Sequence, residues 1–305
     1  MNRVKKILND EKIKYNILKK SESGFSNLVY FIDDSFVIKI LEPTGNAIKF
    51  NNEIGFYKSM DFDFMSNYIA SGEYKGTQYL IIEKLQGQSL YDVWHTISQD
   101  ERETITIQVA TILKQINREL TTRFLHQESI REDLVTLYKN AFDTNISILE
   151  NKGYDIDFLR QYAKERVPII FEECKCGIVY NDAHFDNFIY DGKTVRLIDF
   201  DRVLYTSIDY ELLILHTMVN NPKKFANEKV EPYVKIKDYQ DVLPMIKQVY
   251  PELFDFKFLD ERLYIYSFFY TLGNIYAFNL YDLLPKILND FKVFISNQKH
   301  IQQAL

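Results

Sequence analysis

Cysteine is nearly absent from this chain. Among 305 residues only Cys174 and Cys176 occur, and a CxC pair without further partners lacks the ligand set of a structural zinc site. It also offers no framework for a disulfide-stabilised secreted fold. Tryptophan is scarcer still, one residue against 22 Tyr and 23 Phe. That aromatic excess accompanies abundant Ile, Asn and Lys, a compositional bias from which no ligand is read. Basic charge is in deficit: a net charge of −6 and a pI of about 5.5 leave no general positive field to hold a nucleic-acid backbone. A cationic or neutral small molecule is more easily accommodated. No early apolar run reaches the length of a signal or membrane segment, because lysines and acids interrupt residues 1–20 throughout. The expected location is the cytoplasm, with neither nucleic acid nor membrane as partner. Internal repeats and low-complexity linkers are missing too.

What is present is an ordinary globular balance, 46% hydrophobic and 26% charged residues. The length exceeds that at which one hydrophobic core usually stops growing, so two lobes are expected.

The most informative stretch is 178–202, IVYNDAHFDNFIYDGKTVRLIDFDR. An apolar run at 178–180 gives way to a polar loop holding Asp182, His184, Asp186 and Asn187. Residues 188–190 and 195–198 then frame the turn Asp191-Gly192 as two short strands, the second delivering Asp199 just beyond its end. Two loops rich in acceptor side chains are thereby joined through a hairpin. Such an arrangement suits magnesium binding and the orientation of a hydroxyl nucleophile. The same residue types also serve as Asx-turn formers and helix caps, and the choice between the two readings rests on features upstream.

The segment 4–8 is a short amphipathic start that needs a partner surface to be helical. Strands are expected at 16–19, 28–32 and 36–41, the first two joined by the loop SESGFSN at 21–27. Ser23, Gly24 and Ser26 of that loop can turn hydroxyls and backbone amides toward phosphate oxygens, although a plain hairpin loop has the same composition. Lys39 stands between Ile38 and Ile40, so alternation sends it to the face opposite its neighbours. A charge there calls for an anion or a paired carboxylate. The helix expected at 47–60 supplies one in Glu53, at the edge of the Ile54/Tyr57 stripe. Two surface charges are the competing reading.

Strands at 66–74 and 78–84 turn about Lys75-Gly76, and residues 85–88 leave the sheet for a helix opening at Leu90 with Ser89 as its cap. Backbone groups of Glu83 and Leu85 there are suited to a planar base. Helical patterns follow at 101–120, 130–139, 154–164, 208–219, 238–249, 259–278 and 283–297. His95, His126 and His216 share no metal-ligand spacing and read as local helix-surface or packing histidines. The lobe boundary is expected near 85–90.

From residue 21 to 212 the chain resembles the phosphotransferase branch of the protein-kinase-like fold, in particular aminoglycoside phosphotransferases and choline kinases. The family loop reads His-Gly-Asp, one residue, His, two residues, Asn; here it runs Tyr180, Asn181, Asp182, Ala183, His184, Phe185, Asp186, Asn187. The Asp, second His and Asn stand at their spacing, while Tyr180 and Asn181 depart from the pattern. The resemblance implies an α+β, two-lobed fold: an antiparallel-sheet N-terminal lobe (1–86) that binds nucleotide and a larger, mainly helical C-terminal lobe (87–305) for catalysis and acceptor binding.

It further implies Lys39 as the phosphate lysine with Glu53 as its helix partner, Asp182 as the catalytic aspartate and His184 as a loop support. Asn187 and Asp199 become ligands of Mg2+, and the 21–27 loop covers the phosphates, although it is poorer in glycine than the protein-kinase pattern. Glu83 and Leu85 fall beside the base, and Asp201, Asp209 and Glu211 near the acceptor. The implied reaction is Mg-dependent transfer of the γ-phosphoryl group of ATP or GTP to a small-molecule hydroxyl. An aminoglycoside antibiotic is the first candidate acceptor, since the net acidity suits a polycation. A choline-like or other amino-alcohol kinase, a sugar kinase, and a nucleotide-binding pseudoenzyme acting through protein contacts are the alternatives. No APE-like end of an activation segment follows Asp199, which argues against a peptide substrate.

Overall fold

The computed structural model describes residues 2–21, 27–124 and 133–303. Ser23, Gly24, Ser26 and His126 lie outside the described residues. In chain order the elements are α1 (Asn2–Asp10), β1 (Leu18–Lys20), β2 (Asn27–Ile32), β3 (Phe36–Leu41), α2 (Ala47–Ser59), β4 (Tyr68–Tyr74), β5 (Thr77–Glu83), β6 (Gln88–Ser89), α3 (Leu90–Val93) and α4 (Gln99–Phe124). There follow α5 (Leu134–Asn151), α6 (Asp157–Ile170), β7 (Cys176–Val179), β8 (Phe188–Tyr190), β9 (Val195–Leu197), β10 (Leu204–Ser207), α7 (Leu212–Asn220), α8 (Val242–Val249), α9 (Leu259–Ala277) and α10 (Leu284–Gln303). The fold is α+β, with a sheet-based N-terminal lobe and a helical C-terminal lobe.

By packing, the chain divides into two compact units: Met1–Gln115, Tyr180–Leu204 and Met218–Val249 form one, and Ile116–Val179, Tyr205–Thr217 and Tyr250–Leu305 the other. In the first unit five antiparallel strands run in the order β1-β2-β3-β5-β4. Alternation sets the faces. Ile38 and Ile40 point to the side where α1 packs, burying Val4, Ile7 and Leu8 against Tyr30, Ile32, Tyr79 and Ile81. The short first helix thus gains from the sheet the burial that its own length cannot supply. Lys39 is left on the opposite face, as alternation requires.

Local sequence explains the entrances to the helices. The Asn46 side chain accepts the Lys49 amide at the start of α2, and Ser89 does the same for Asp92 at the start of α3. Between sheet and helix the connector passes hard against the β8–β9 hairpin. Gly87, at φ +124°, leaves no room for a Cβ, which would run into the Tyr190 carbonyl. β6, β8 and β9 make a small antiparallel sheet there, with Asp191 closing the turn by accepting the amides of Lys193 and Thr194.

The second unit is held by helices and aromatic rings. α5 and α6 pair, and Phe142, Tyr162 and Phe268 surround Phe291 of α10. Pro168 sits in the last turn of α6, so the bond forgone by its missing N–H lies at the end of the helix. The helix expected from residue 208 begins instead as a 3-10 turn, Ile208–Glu211, before α7. Cys174 and Cys176 are joined by a disulfide, a bridge not foreseen from the spacing. It closes so short a loop that it restrains the unfolded chain little. Among the described residues no helix is long and apolar enough to cross a membrane.

Candidate active site

The first unit brings together Lys39, Glu53, Asp182, His184, Asn187 and Asp199. The Lys39 ammonium lies 2.5 Å from Glu53 Oε1 and 3.1 Å from Asp199 Oδ1. Burial works against its charge, but the carboxylates of Asp199 and Glu53 outweigh that and hold it well above the ordinary lysine value. Glu53 is wholly buried, and burial pushes its carboxyl up to about 7 against the pull of Lys39. The two carboxylates differ in access: the Glu53 side chain is 0% exposed and that of Asp199 39%. Glu53 is therefore placed to fix the lysine, and Asp199 to meet a ligand.

The loop after Val179 is tied by its own backbone. His184 N donates to the Asp182 carbonyl at 2.7 Å, Asn187 N to the His184 carbonyl at 3.0 Å, and Ile198 N to the Asn187 carbonyl at 3.0 Å. The last bond sets Asn187 beside the strand end that delivers Asp199. The Asn187 amide nitrogen donates to the Asp182 carbonyl at 3.0 Å and to Asp182 Oδ2 at 3.1 Å, and meets His184 Nε2 at 3.2 Å. Its amide oxygen is thereby left for another partner.

His184 Nε2 is 3.5 Å from Asp182 Oδ2, and Arg202 Nη1 is 3.5 Å from Asp182 Oδ1. Burial alone would raise the Asp182 carboxyl. The hydrogen bond with His184 and the charge of Arg202, helped by Asn187, leave it below the usual aspartate value. Asp182 is thus an ionised acceptor held from both sides.

Aromatic rings brace the second acceptor loop. Phe200 stacks on Phe56 at 4.2 Å and meets the edges of Tyr57 at 5.4 Å and Tyr180 at 5.7 Å. On either side of that ring system Asn181 and Asp199 take left-handed backbone angles, φ +62° and +65°. Such angles are uncommon outside glycine and persist where the surroundings over-determine them.

The remaining expected residues fall as follows. Asp201 follows Phe200, and burial together with the Asp199 charge raises its carboxyl. Glu83 ends β5, bonded through its amide and carboxylate to Asn67, and Leu85 is half-buried in the connector. Asp209 lies in the second unit, fully buried, with its oxygens taken by Arg262 at 2.6 and 3.0 Å and by Tyr266 at 3.0 Å. Glu211 is buried in the same unit. Arg202 and Phe200 were not singled out from the sequence. Their only signal was position, one and three residues after Asp199.

Among the described residues no group of three or more His, Cys, Asp or Glu could by itself hold a metal. The donors on offer are one carboxylate, Asp199, and one amide oxygen, Asn187. Hard oxygens in that small number fit magnesium, which commonly takes one or two protein ligands and completes its shell with phosphates and water.

Fold and site together describe a protein-kinase-like phosphotransferase. The family profile of phosphotransferase enzymes matches residues 18–239, and the chain belongs to that family. No curated protein matches it. Among solved structures it is similar to the ADP-bound aminoglycoside phosphotransferase APH(2'')-Ib, with 16% identity and a TM-score of 0.64 over 94% of this chain and 95% of that one. It is also similar to APH(2'')-IIa in complex with gentamicin (16% identity, TM-score 0.62, 94% of each chain). The ternary complex of APH(2'')-IIa with streptomycin and ATP gives 16% identity and a TM-score of 0.63 over 93% of this chain and 97% of that one. At this identity the likeness is one of fold.

Proposed function

We propose that the chain transfers the γ-phosphoryl group of ATP or GTP to a hydroxyl of a small molecule, with an aminoglycoside as first candidate and the cytoplasm as the place of action. The observation that carries this reading is the Lys39 ammonium held between buried Glu53 and accessible Asp199, in one compact unit with the Asp182–Asn187 loop. On this reading residues 1–86 bind the nucleotide and residues 87–305 supply the catalytic loop and the acceptor surface.

Lys39, fixed by Glu53, receives phosphate oxygens as a point charge. Ser23, Gly24 and Ser26, which lie outside the described residues, are assigned to the phosphates from the sequence alone, and the backbone at Glu83 and Leu85 to the base. Asp182, kept ionised, accepts a hydrogen bond from the acceptor hydroxyl and takes its proton as transfer proceeds. His184 and Asn187 hold Asp182 in that orientation. Asn187 and Asp199 would hold Mg2+, which would supply positive charge to neutralise that of the phosphates. The protein's contribution is largely positioning and charge placement.

An aminoglycoside acceptor, which would make the chain an antibiotic-resistance enzyme, is supported by the acidic surroundings of Asp182. Asp186 and Asp201 both lie on the same loops. Asp209 is occupied by Arg262, so Asp201 is the stronger acceptor-side candidate; Glu211 remains with Asp209 in the second unit. Choline, other amino alcohols and sugars are the competing acceptors. The test is a panel of aminoglycosides, choline, ethanolamine, homoserine and simple sugars with magnesium and either nucleotide. Phosphorylation of an aminoglycoside is expected; no product from any acceptor above the Asp182→Ala background would overturn the reading.

A further inference from the structure

The cysteines of the chain, Cys174 and Cys176, are bridged where the loop after α6 enters β7. So small a ring restrains the unfolded chain little, and stability therefore gives the bridge little to do. Access is its more telling property. Cys174 is exposed and Cys176 half-buried, which leaves one end of the disulfide open to a thiol from solvent and the other partly sheltered.

The backbone around the sulfurs is held by groups that contain no sulfur. The Arg262 guanidinium donates to the Glu173 carbonyl at 3.1 Å, and the Lys257 amide to Glu173 Oε2 at 3.3 Å. Between the cysteines, the Lys175 carbonyl accepts the Ile208 amide at 2.9 Å. The Lys175 ammonium lies 2.8 Å from Asp255 Oδ2 and 3.1 Å from Glu173 Oε1. All of these groups belong to the second unit. The residue before the pair and the residue inside it thus keep their places whether the bridge is closed or open. With the Cα atoms 5.5 Å apart, inside the range a disulfide requires, the opened thiols stay within reach of each other. Re-closure is then an intramolecular step with little chain entropy to overcome.

We infer that Cys174–Cys176 is a thiol–disulfide exchange site for low-molecular-weight thiols and their disulfides, with Cys174 the sulfur that meets the external partner and Cys176 the one that resolves. In the reducing direction an external thiolate attacks Cys174 Sγ, the bond between the two sulfurs breaks, and Cys176 leaves as a thiolate that takes up a proton. A second external thiolate attacks the outer sulfur of the mixed disulfide, forms the external disulfide and releases the Cys174 thiolate, which is protonated in turn. Two external thiols have then passed two electrons and two protons to the bridge. Oxidation runs the same steps backwards, the Cys174 thiolate attacking an external disulfide and Cys176 closing the ring. This site is independent of phosphoryl transfer.

The test holds the native full-length protein in buffers of varied ratio of reduced to oxidised glutathione, with far-UV circular dichroism confirming the fold. Acid quenching, alkylation and mass spectrometry then count free thiols, an unambiguous count because the chain has no other cysteine. The wild type should pass reversibly between no alkylated cysteine and two as the ratio changes. Cys176→Ser should accumulate a glutathione mixed disulfide on Cys174, and Cys174→Ser should form one on Cys176 at least about tenfold more slowly, since exchange depends on access to the sulfur. Thiols that stay free at every ratio, a bridge that opens only in denaturant, or equal rates for the two serine variants overturn the inference. Should a serine variant fold poorly, the wild-type titration decides by itself.

Discussion

The Tyr180 hydroxyl donates to the Ile198 carbonyl at 2.6 Å, fastening the residue two places before Asp182 to the residue just before Asp199. The two acceptor loops therefore move together or not at all. In Tyr180→Phe the ring contact with Phe200 remains and the Ile198 carbonyl loses its donor. Stability should fall by about 1–2 kcal/mol in urea unfolding. Turnover should fall more than nucleotide affinity, because the relative placement of Asp182 and Asp199 loosens.

Arg202 reaches Asp182 Oδ1 at 3.5 Å and works on the side opposite His184. Arg202→Ala should lower kcat about tenfold, a magnitude in keeping with the misplacement of one reacting group. KM for nucleotide should change little. Arg202→Lys should recover part of the loss, since a point charge replaces a fork. Steady-state kinetics with a fixed acceptor checks both.

The buried pair of Asp209 and Arg262 is a structural element of the second unit. Arg262 also donates to the Ser207 hydroxyl and to the carbonyls of Ile170 and Glu173. Removing one partner strands the other, so Asp209→Ala should destabilise by about 3–5 kcal/mol. Pairing Asp209→Leu with Arg262→Met should be milder than either single change. Denaturant midpoints of the three variants decide this.

His216 is held below the ordinary histidine value, first by partial desolvation of its ring although the residue as a whole is exposed, with Asp260 working the other way. The unfolded chain then takes up its proton at a higher pH than the folded one. The contribution is fully present above the model value of 6.5, declines as pH falls through it toward the lowered folded value, and is constant below. In His216→Gln that part of the pH dependence should vanish. Unfolding free energies of both proteins between about pH 7 and pH 5 give the difference.

Much of the lysine half of the site was legible because its signals are local. Strand alternation around Ile38 and Ile40 sets the face of Lys39, and the Ser89 cap marks a helix start within a few residues. The hairpin around Asp191-Gly192 was readable for the same reason. Long-range partners left no such trace. Asp209 reads as an acid near the acceptor, and nothing in its neighbourhood announces Arg262, 53 positions on. Phe200 reads as an apolar residue between two aspartates, since stacking on Phe56 depends on tertiary placement. The 3-10 start of α7 was likewise masked, because a single turn of either helix buries the same residues.

Lys39 and Asp199 are separated by 160 positions, and the unit that contains them is assembled from three stretches of chain. Contacts of such sequence separation close late, after the entropy of the intervening loop has been overcome. A chain still emerging from the ribosome can therefore complete strands β1 to β5 and pack α1 while lacking the Lys39–Asp199 pair on which the proposed phosphate site depends. Nucleotide can act as a ligand for the finished unit only, so it should protect the folded enzyme without assisting synthesis of its first half.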